Sequence, residues 1–278
     1  MMKKINDIIG DAKTIGIAGH VRPDGDCMGS CMSLYNYLKK NRPDLDVRVF
    51  LEFVDKKFNI IENTDQIITT GYDGTKFDLF ISLDTASLDR LGLNLPFYEN
   101  AKRTACIDHH ASNDGYADYN YILPKASSAS EVLYDLLDED LIDKSIAEPM
   151  YMGIAHDSGV FRFQSTTPKT MRIAANMIEK GVNVNMILEE TFFRKTYNQM
   201  MVTAKIQSEA VLALDGKCIY GYCTSEMMEE YGVTTKDLDA VVASIRNVDG
   251  VEVAMFLYQL SEAVSYTHLR AHETTLHL

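Results

Sequence analysis

The stretch TIGIAGHVRPDGDCMGSCMSLYNYLKK, residues 14–40, contains an apolar run, a short polar turn and a helix-length segment in succession. The run TIGIA is apolar at nearly every position, as expected of a strand that is buried on both faces. Pro23 and Gly25 favour a tight turn after it. The stretch therefore predicts a strand, a turn and a helix, the first unit of a parallel α/β sheet.

The same alternation continues through the N-terminal half of the chain. Each further apolar run ends in polar or ionisable residues, and the runs are VRVFLE (47–52), FDLFISLD (77–84) and RTACIDHH (103–110). Ligands of open α/β sheets bind outside the carboxyl ends of the strands. We therefore expect the segments GHVRPDGD, LDTAS and DHHASN to open onto one crevice.

The pattern becomes helical after about residue 128, and a helix is predicted through QMMVTAKIQSEAVLALDGK, residues 199–217. Two apolar runs, 218–224 and 251–260, then flank a helical segment and give a second, smaller α/β signal. The predicted fold is α/β, with an N-terminal parallel-sheet domain and flanking helices, a helical linker and an incomplete smaller α/β domain. The predicted boundaries are 1–190, 191–208 for the linker and 209–262, followed by a tail, 263–278, whose sequence resembles translated adaptor read-through rather than native protein.

Composition narrows the classes of partner. The chain has 27 Lys and Arg against 40 Asp and Glu, a formal charge of -13, which disfavours a long nucleic acid track. No apolar run approaches the roughly 20 residues of a membrane span. The five cysteines lack the paired spacing of a zinc clip and are predicted to be reduced thiols, so we expect a cytoplasmic protein without membrane contact.

The turn after the first strand carries candidate metal ligands. His20, Asp24 and Asp26 can converge there, and imidazole with carboxylate suits Mn²⁺ or a similar divalent ion. The alternative is an Asx-rich loop in which Asp26 caps a helix that begins near Cys27. Further acids and imidazoles at the other strand ends and in a later helix favour a polynuclear metal site, and these are Asp84, Asp108, His109, His110 and Asp157.

Four segments together carry a family resemblance: GHVRPDGDCMGS, SLDTAS, IDHH and YMGIAHDSGVFRF. In this order and spacing they resemble the motifs of the DHH phosphoesterase superfamily, in particular its bacterial oligoribonuclease and pAp-phosphatase branch, over roughly residues 1 to 260. The resemblance implies two Mn²⁺ ions, with Mg²⁺ or Co²⁺ as substitutes. One ion would be held by His20, Asp24 and Asp84 and the other by Asp26, Asp84, His109 and Asp157.

The resemblance also implies roles for the remaining residues of these motifs. Asp84 would bridge the ions, His110 would donate a hydrogen bond to the scissile phosphate, and Asp108 would orient the histidines. Arg162 and Arg246 are candidates for substrate contact. Arg194 is a further candidate of the same kind as Arg246, and His156 is either a neutral neighbour of Asp157 or a residue that tunes substrate binding. Ser127 or Ser128 is expected to cap a helix, with Glu131 behind it.

The implied activity is hydrolysis of short oligoribonucleotides or 3'-phosphoadenosine 5'-phosphate (pAp). A cyclic-di-AMP or linear dinucleotide phosphodiesterase, and a metal-stabilised nucleotide-binding module without turnover, stay open as alternatives, and a homodimer is expected by analogy. Relatives in this branch carry a second domain, DHHA1, that ends in a GGGH-type loop. We do not find that loop here, so we expect a partial substrate-binding domain and weakened activity.

Overall fold

The computed structural model describes residues 4–238, 241–261 and 264–271. It divides into two compact units, Met1–Phe193 and Arg194–Leu278. The first unit contains α1 (Ile5–Ile9), β1 (Thr14–Ala18), α2 (Gly25–Asn41), β2 (Asp46–Phe50), β3 (Leu79–Leu83), α3 (Leu95–Glu99), β4 (Thr104–Asp108), β5 (Tyr119–Ile122), α4 (Ala129–Leu136), α5 (Lys144–Asp157), α6 (Pro168–Glu179) and α7 (Val184–Leu188).

The sheet of the first unit is parallel, with strand order β2-β1-β3-β4-β5. Strand β1 lies between β2 and β3, since Ile15 is in register with Val47 of β2 and with Leu79 of β3. Strands β3 and β4 are buried throughout, in keeping with helices on both faces of the sheet. The α/β class predicted from the apolar runs is confirmed. Because the strand order reverses between β1 and β3, the crevice for a ligand lies at their carboxyl ends.

Two glycines bring the helices close together on one face of this sheet. A Cβ atom on Gly29 of α2 would lie 2.5 Å from the carbonyl oxygen of Pro149 in α5. One on Gly153 of α5 would overlap the side chain of Ser130 and lie 2.7 Å from Oδ1 of Asp26. Glycine at both positions therefore allows α2, α4 and α5 to pack against each other beside the carboxyl ends of the strands.

The second unit has its own sheet and its own core. Its elements are α8 (Tyr197–Glu209), β6 (Val211–Ala213), β7 (Cys218–Cys223), α9 (Ser225–Tyr231), α10 (Val241–Arg246), β8 (Val253–Ser261) and β9 (Val264–Ala271). The strand order is β6-β7-β8-β9, and only β7 and β8 pair in parallel. Helix α8, which lies mostly within the stretch predicted as a linker, packs Val202 and Ile206 into the core of this unit.

Two local expectations differ from the structure or fall partly outside it, and one observed strand has no counterpart among the expectations. The helix predicted over 199–217 ends at Glu209, because Val211–Ala213 pairs with β7 as an edge strand. Strand β5 was not predicted. Of the predicted tail, Val264–Ala271 pairs with β8, whereas residues 263 and 272–278 lie outside the described residues.

Along the described part of the chain, no helix combines the length and the apolar character needed to cross a membrane.

Candidate metal centre

His20 lies just beyond β1 with its ring fixed by the backbone. Its Nδ1 is 2.7 Å from the carbonyl oxygen of Val21, and a carbonyl only accepts, so Nδ1 carries the proton and donates. The lone pair of the neutral ring is then on Nε2, which lies 3.4 Å from Oδ2 of Asp84 and 3.8 Å from Oδ1 of Asp24. These distances exceed those of hydrogen bonds but suit atoms that bind a common ion at about 2.1 Å each.

Asp84 directly follows β3 and is almost completely buried. Its φ of 50° lies in the left-handed region, an uncommon conformation for a residue other than glycine and one that clusters at functional sites. Oδ2 faces His20, whereas Oδ1 lies 3.6 Å from Nε2 of His109 and 3.7 Å from Nδ1 of His110. The two oxygens of one carboxylate thus face different imidazoles, which is the arrangement a bridging ligand requires.

A second group of donors consists of Asp26, His109 and Asp157, whose ligand atoms lie within 4.8 Å of one another. Nε2 of His109 is 3.3 Å from Oδ2 of Asp157, at the last residue of α5. Asp26 is buried in the first turn of α2, and its carboxylate accepts hydrogen bonds from the backbone N–H groups of Ala129 at 2.6 Å and Ser130 at 3.0 Å. The N-terminus of α4 therefore holds Asp26 in place.

Two helix caps define how this region folds. Asp24, rather than Asp26, is the N-cap of α2, and its Oδ1 accepts from the N–H groups of Asp26 at 3.0 Å and Cys27 at 3.1 Å. Helix α2 accordingly begins at Gly25. In α4 the cap is Ser128, which accepts from the N–H of Glu131 at 3.0 Å.

Asp108 is fully buried behind the histidines. Its Oδ1 lies 2.7 Å from Nδ1 of His110 and accepts from the backbone N–H of His109 at 2.8 Å. Its Oδ2 accepts from Nδ2 of Asn113 at 2.6 Å. Both oxygens are therefore engaged, and Asp108 fixes the ring of His110. Asn113 is not among the site residues predicted from the sequence. Its position in the segment DHHASN, five residues after Asp108, is the one feature of the sequence that could have indicated its role.

The electrostatics of the two groups favour a bound cation. Burial raises the pKa of Asp26 and raises that of Asp157 to about 6. Burial opposes charge on the His109 ring, but the carboxylates of Asp84, Asp26 and Asp157 outweigh it and raise the pKa of His109 to about 10. Among the ion pairs of the described residues, none joins a Lys or Arg to these carboxylates. Divalent cations would take the place of the protons that such a cluster retains.

The structure brings six predicted ligands together: His20, Asp24, Asp26, Asp84, His109 and Asp157. It also brings in a residue that was not predicted. The ligand atoms of His20, Cys27 and Asp84 form a group within 4.8 Å. Nitrogen and oxygen donors at this density suit borderline and hard divalent ions.

The candidate substrate residues belong to other segments of the chain. Arg162 is exposed in the segment after α5, where Gly159, Val160 and Phe161 all have positive φ. Arg246 is the last residue of α10, and Arg194 is the first residue of the second unit. Nε2 of His156 lies 2.8 Å from Oγ1 of Thr191. Since Thr191 donates its hydroxyl proton to the carbonyl of Ile187, His156 is the donor in that pair.

Comparisons with known proteins agree with this fold. The sequence profile described as the DHH family, N-terminal domain, matches residues 14–154. This range contains five of the six predicted ligands, all except Asp157. A protein named bifunctional oligoribonuclease and PAP phosphatase NrnA from Bacillus subtilis is 25% identical over 256 residues, covering 90% of this chain and 79% of that protein. A protein of the same name from Thermus thermophilus is 30% identical over 260 residues, covering 90% of this chain and 74% of that protein.

A solved structure, an exopolyphosphatase-related protein from Bacteroides fragilis, has the same fold as this chain. The TM-score is 0.86, the sequence identity is 21%, and the match covers 96% of this chain and 82% of that one.

Proposed function

Because the chain belongs to the DHH family, we propose that it is a manganese-dependent, two-metal phosphoesterase that hydrolyses short oligoribonucleotides and pAp. That it is a phosphoester-hydrolysing enzyme follows from its family and its relatives. The proposed substrates are those that the names of these relatives state. One observation carries the two-metal part of the proposal, namely that the two oxygens of Asp84 face His20 on one side and His109 on the other.

The donors fit a pair of divalent ions. His20, Asp24 and Asp84 would hold one ion, and Asp26, Asp84, His109 and Asp157 the other. When bound, such ions lower the pKa of water and neutralise the charge that develops on the reacting phosphate. The protein holds the donor side chains in position, since the N-terminus of α4 fixes Asp26 and the end of β3 fixes Asp84.

His110 has a separate part in the proposal. The hydrogen bond to Asp108 raises the pKa of His110, which favours the form that carries protons on both ring nitrogens. With Nδ1 bound to Asp108, the Nε2–H group is left to donate to a phosphate oxygen of the substrate. The side chain of His110 is 39% exposed, so a substrate can reach it.

The compartment and assembly are part of the same proposal. All five cysteines are free, which supports a reducing compartment such as the cytoplasm. The homodimer rests on analogy alone. Light scattering coupled to size-exclusion chromatography measures it directly, with a mass of about twice the chain's 31.3 kDa expected.

The direct test is a substrate panel assayed with Mn²⁺ and with EDTA. We expect phosphate release from pAp and mononucleotide release from a short oligoribonucleotide in Mn²⁺ only. Faster turnover of cyclic-di-AMP or linear pApA would favour the dinucleotide phosphodiesterase, and pyrophosphate serves as a further comparison. Nucleotide binding without turnover of any of these would support the binding module instead.

Asp84→Ala should remove nearly all turnover, and near wild-type activity in that variant would overturn the two-metal assignment.

A further inference from the structure

Cys27 lies beside the residues assigned to one of the two ions. It is the third residue of α2 and is fully buried, and its Sγ belongs to the group within 4.8 Å that includes the ligand atoms of His20 and Asp84. A side chain on Gly19 would overlap this sulfur. The absence of a Cβ atom at Gly19 therefore leaves the space between the end of β1 and α2 to the thiol.

The local backbone fixes the position of this thiol. The N–H of Cys27 donates to Oδ1 of Asp24 at 3.1 Å, so the thiol and a candidate ligand carboxylate share one helical turn. The thiol itself donates to the carbonyl oxygen of His20 at 3.9 Å. Cys27 thus contacts both neighbours that are assigned to the same ion.

We propose that Cys27 is a further ligand of the ion held by His20, Asp24 and Asp84, and that it shifts this position towards softer divalent ions such as Co²⁺, Zn²⁺ and Cd²⁺. The inference rests on the two-metal site of the proposed function. Ligand atoms of one ion lie up to about 4.5 Å apart, twice a bond of 2.1 to 2.3 Å, so the group of His20, Cys27 and Asp84 is compact enough for a modest side-chain adjustment to place sulfur on the ion. The thiol proton is released to solvent as sulfur binds the metal.

The chemistry explains the expected selectivity. Thiolate sulfur is a soft donor, whereas carboxylate and water suit Mg²⁺ and Mn²⁺. A position with nitrogen, oxygen and sulfur donors therefore binds Co²⁺ and Cd²⁺ more tightly, relative to Mn²⁺, than one with nitrogen and oxygen alone. The other ion, near Asp26, His109 and Asp157, has no cysteine in its donor group and should lack this preference.

Cys31 provides a matched control. It lies one helical turn after Cys27 on α2, is equally buried and is also close to Gly19, but it is outside the group of His20, Cys27 and Asp84. Cys31→Ala removes a buried thiol from the same region while leaving the proposed ligands in place.

The experiment is a titration of the metal-free full-length protein with Co²⁺, followed by absorption spectroscopy. We expect a sulfur-to-cobalt charge-transfer band in the near ultraviolet for the wild type and Cys31→Ala, and loss of the band in Cys27→Ala and Cys27→Ser. In competition assays, the preference for Cd²⁺ over Mn²⁺ should fall about tenfold or more in the Cys27 variants only. Cys27→Ser keeps nearly the same side-chain size and replaces the alanine variant if that variant folds poorly. If neither variant folds, the presence or absence of the charge-transfer band in the wild type still tests whether sulfur binds the ion.

Two other results have distinct meanings. Stoichiometric Co²⁺ binding without the charge-transfer band, or a band that persists in both Cys27 variants, would overturn the role of Cys27 and leave the two-metal enzyme intact. No Co²⁺ or Mn²⁺ binding to the wild type would overturn the proposed metal site and this inference together.

Discussion

Both edges of the N-terminal sheet carry aspartates, but the side chains that these aspartates contact differ between the two edges. Asp78 precedes β3 and Asp84 follows it. At the amino edge, Asp78 accepts from the N–H of Lys13 at 2.9 Å and pairs with Nζ of Lys102 at 2.7 Å. At the carboxyl edge, Asp84 faces imidazoles, and none of the described ion pairs joins it to a Lys or Arg.

The electrostatics separate the two edges further. Hydrogen bonding to Lys102 lowers the pKa of Asp78, whereas burial raises that of Asp26 at the other edge. The amino edge is neutralised by the protein's own side chains, and its acids support the fold. At the carboxyl edge the acids face imidazoles rather than Lys or Arg in the described ion pairs, and carboxylates and imidazoles are both metal ligands. Acids grouped with imidazoles in this way therefore identify the functional edge.

The largest effect should come from Asp84→Asn at the carboxyl edge. Asn tolerates the positive φ and keeps the shape, so the change removes one charge and one ligand oxygen. We expect turnover to fall by about a thousandfold or more. The variant should also bind Mn²⁺ more weakly than the wild type, because the carboxylate that faces both imidazoles is lost. Steady-state kinetics and calorimetric titration measure the two effects, and near wild-type turnover would contradict the account of this edge.

A second prediction concerns pH. Binding at Asp26, His109 and Asp157 needs a neutral imidazole and ionised carboxylates, but the pKa of His109 is raised to about 10 and that of Asp157 to about 6. Raising the pH removes competing protons, so Mn²⁺ affinity should rise about tenfold per pH unit for each proton released, between pH 6 and 8. Calorimetry in buffers of different ionisation enthalpy counts the protons. An affinity that does not change with pH would be inconsistent with these shifts.

Asp108→Asn should have an intermediate effect. The amide cannot accept from both His110 and Asn113, so the His110 ring loses its fixed orientation. We expect kcat to fall about 10- to 100-fold with a smaller change in Mn²⁺ affinity. His110→Asn is the comparison, and an additive loss in the double variant would show that Asp108 does not act through His110.

The smallest effect should come from Asp78→Asn at the amino edge. The variant loses an exposed ion pair and weakens the acceptor for two backbone N–H groups. Activity should stay within about twofold of the wild type, and the melting temperature should fall by about 2 °C. Asp84→Asn, by contrast, should lose most of its turnover. A large loss of activity would remove the distinction between the two edges.

The fold class could be predicted because buried parallel strands appear in the sequence as continuous apolar runs. The misses have physical reasons. Strand β5 is partly exposed and only four residues long, so it lacks that signal, and pairing with β4 makes it a strand. The helix predicted over residues 199–217 ends at Glu209 because pairing with β7 satisfies the backbone of Val211–Ala213.

For the site, the sequence by itself determined the chemistry: which acids and imidazoles follow the strands, and that their mixture suits divalent cations. Only the tertiary structure decided their partners. The N-terminus of α4 anchors Asp26 from more than a hundred positions along the chain. The carboxylate of Asp108 binds Nδ1 of His110, and the thiol of Cys27 lies beside the carbonyl group of His20. The reason is that a residue type fixes what an atom can bind, whereas the packing of distant helices fixes which atoms it can reach.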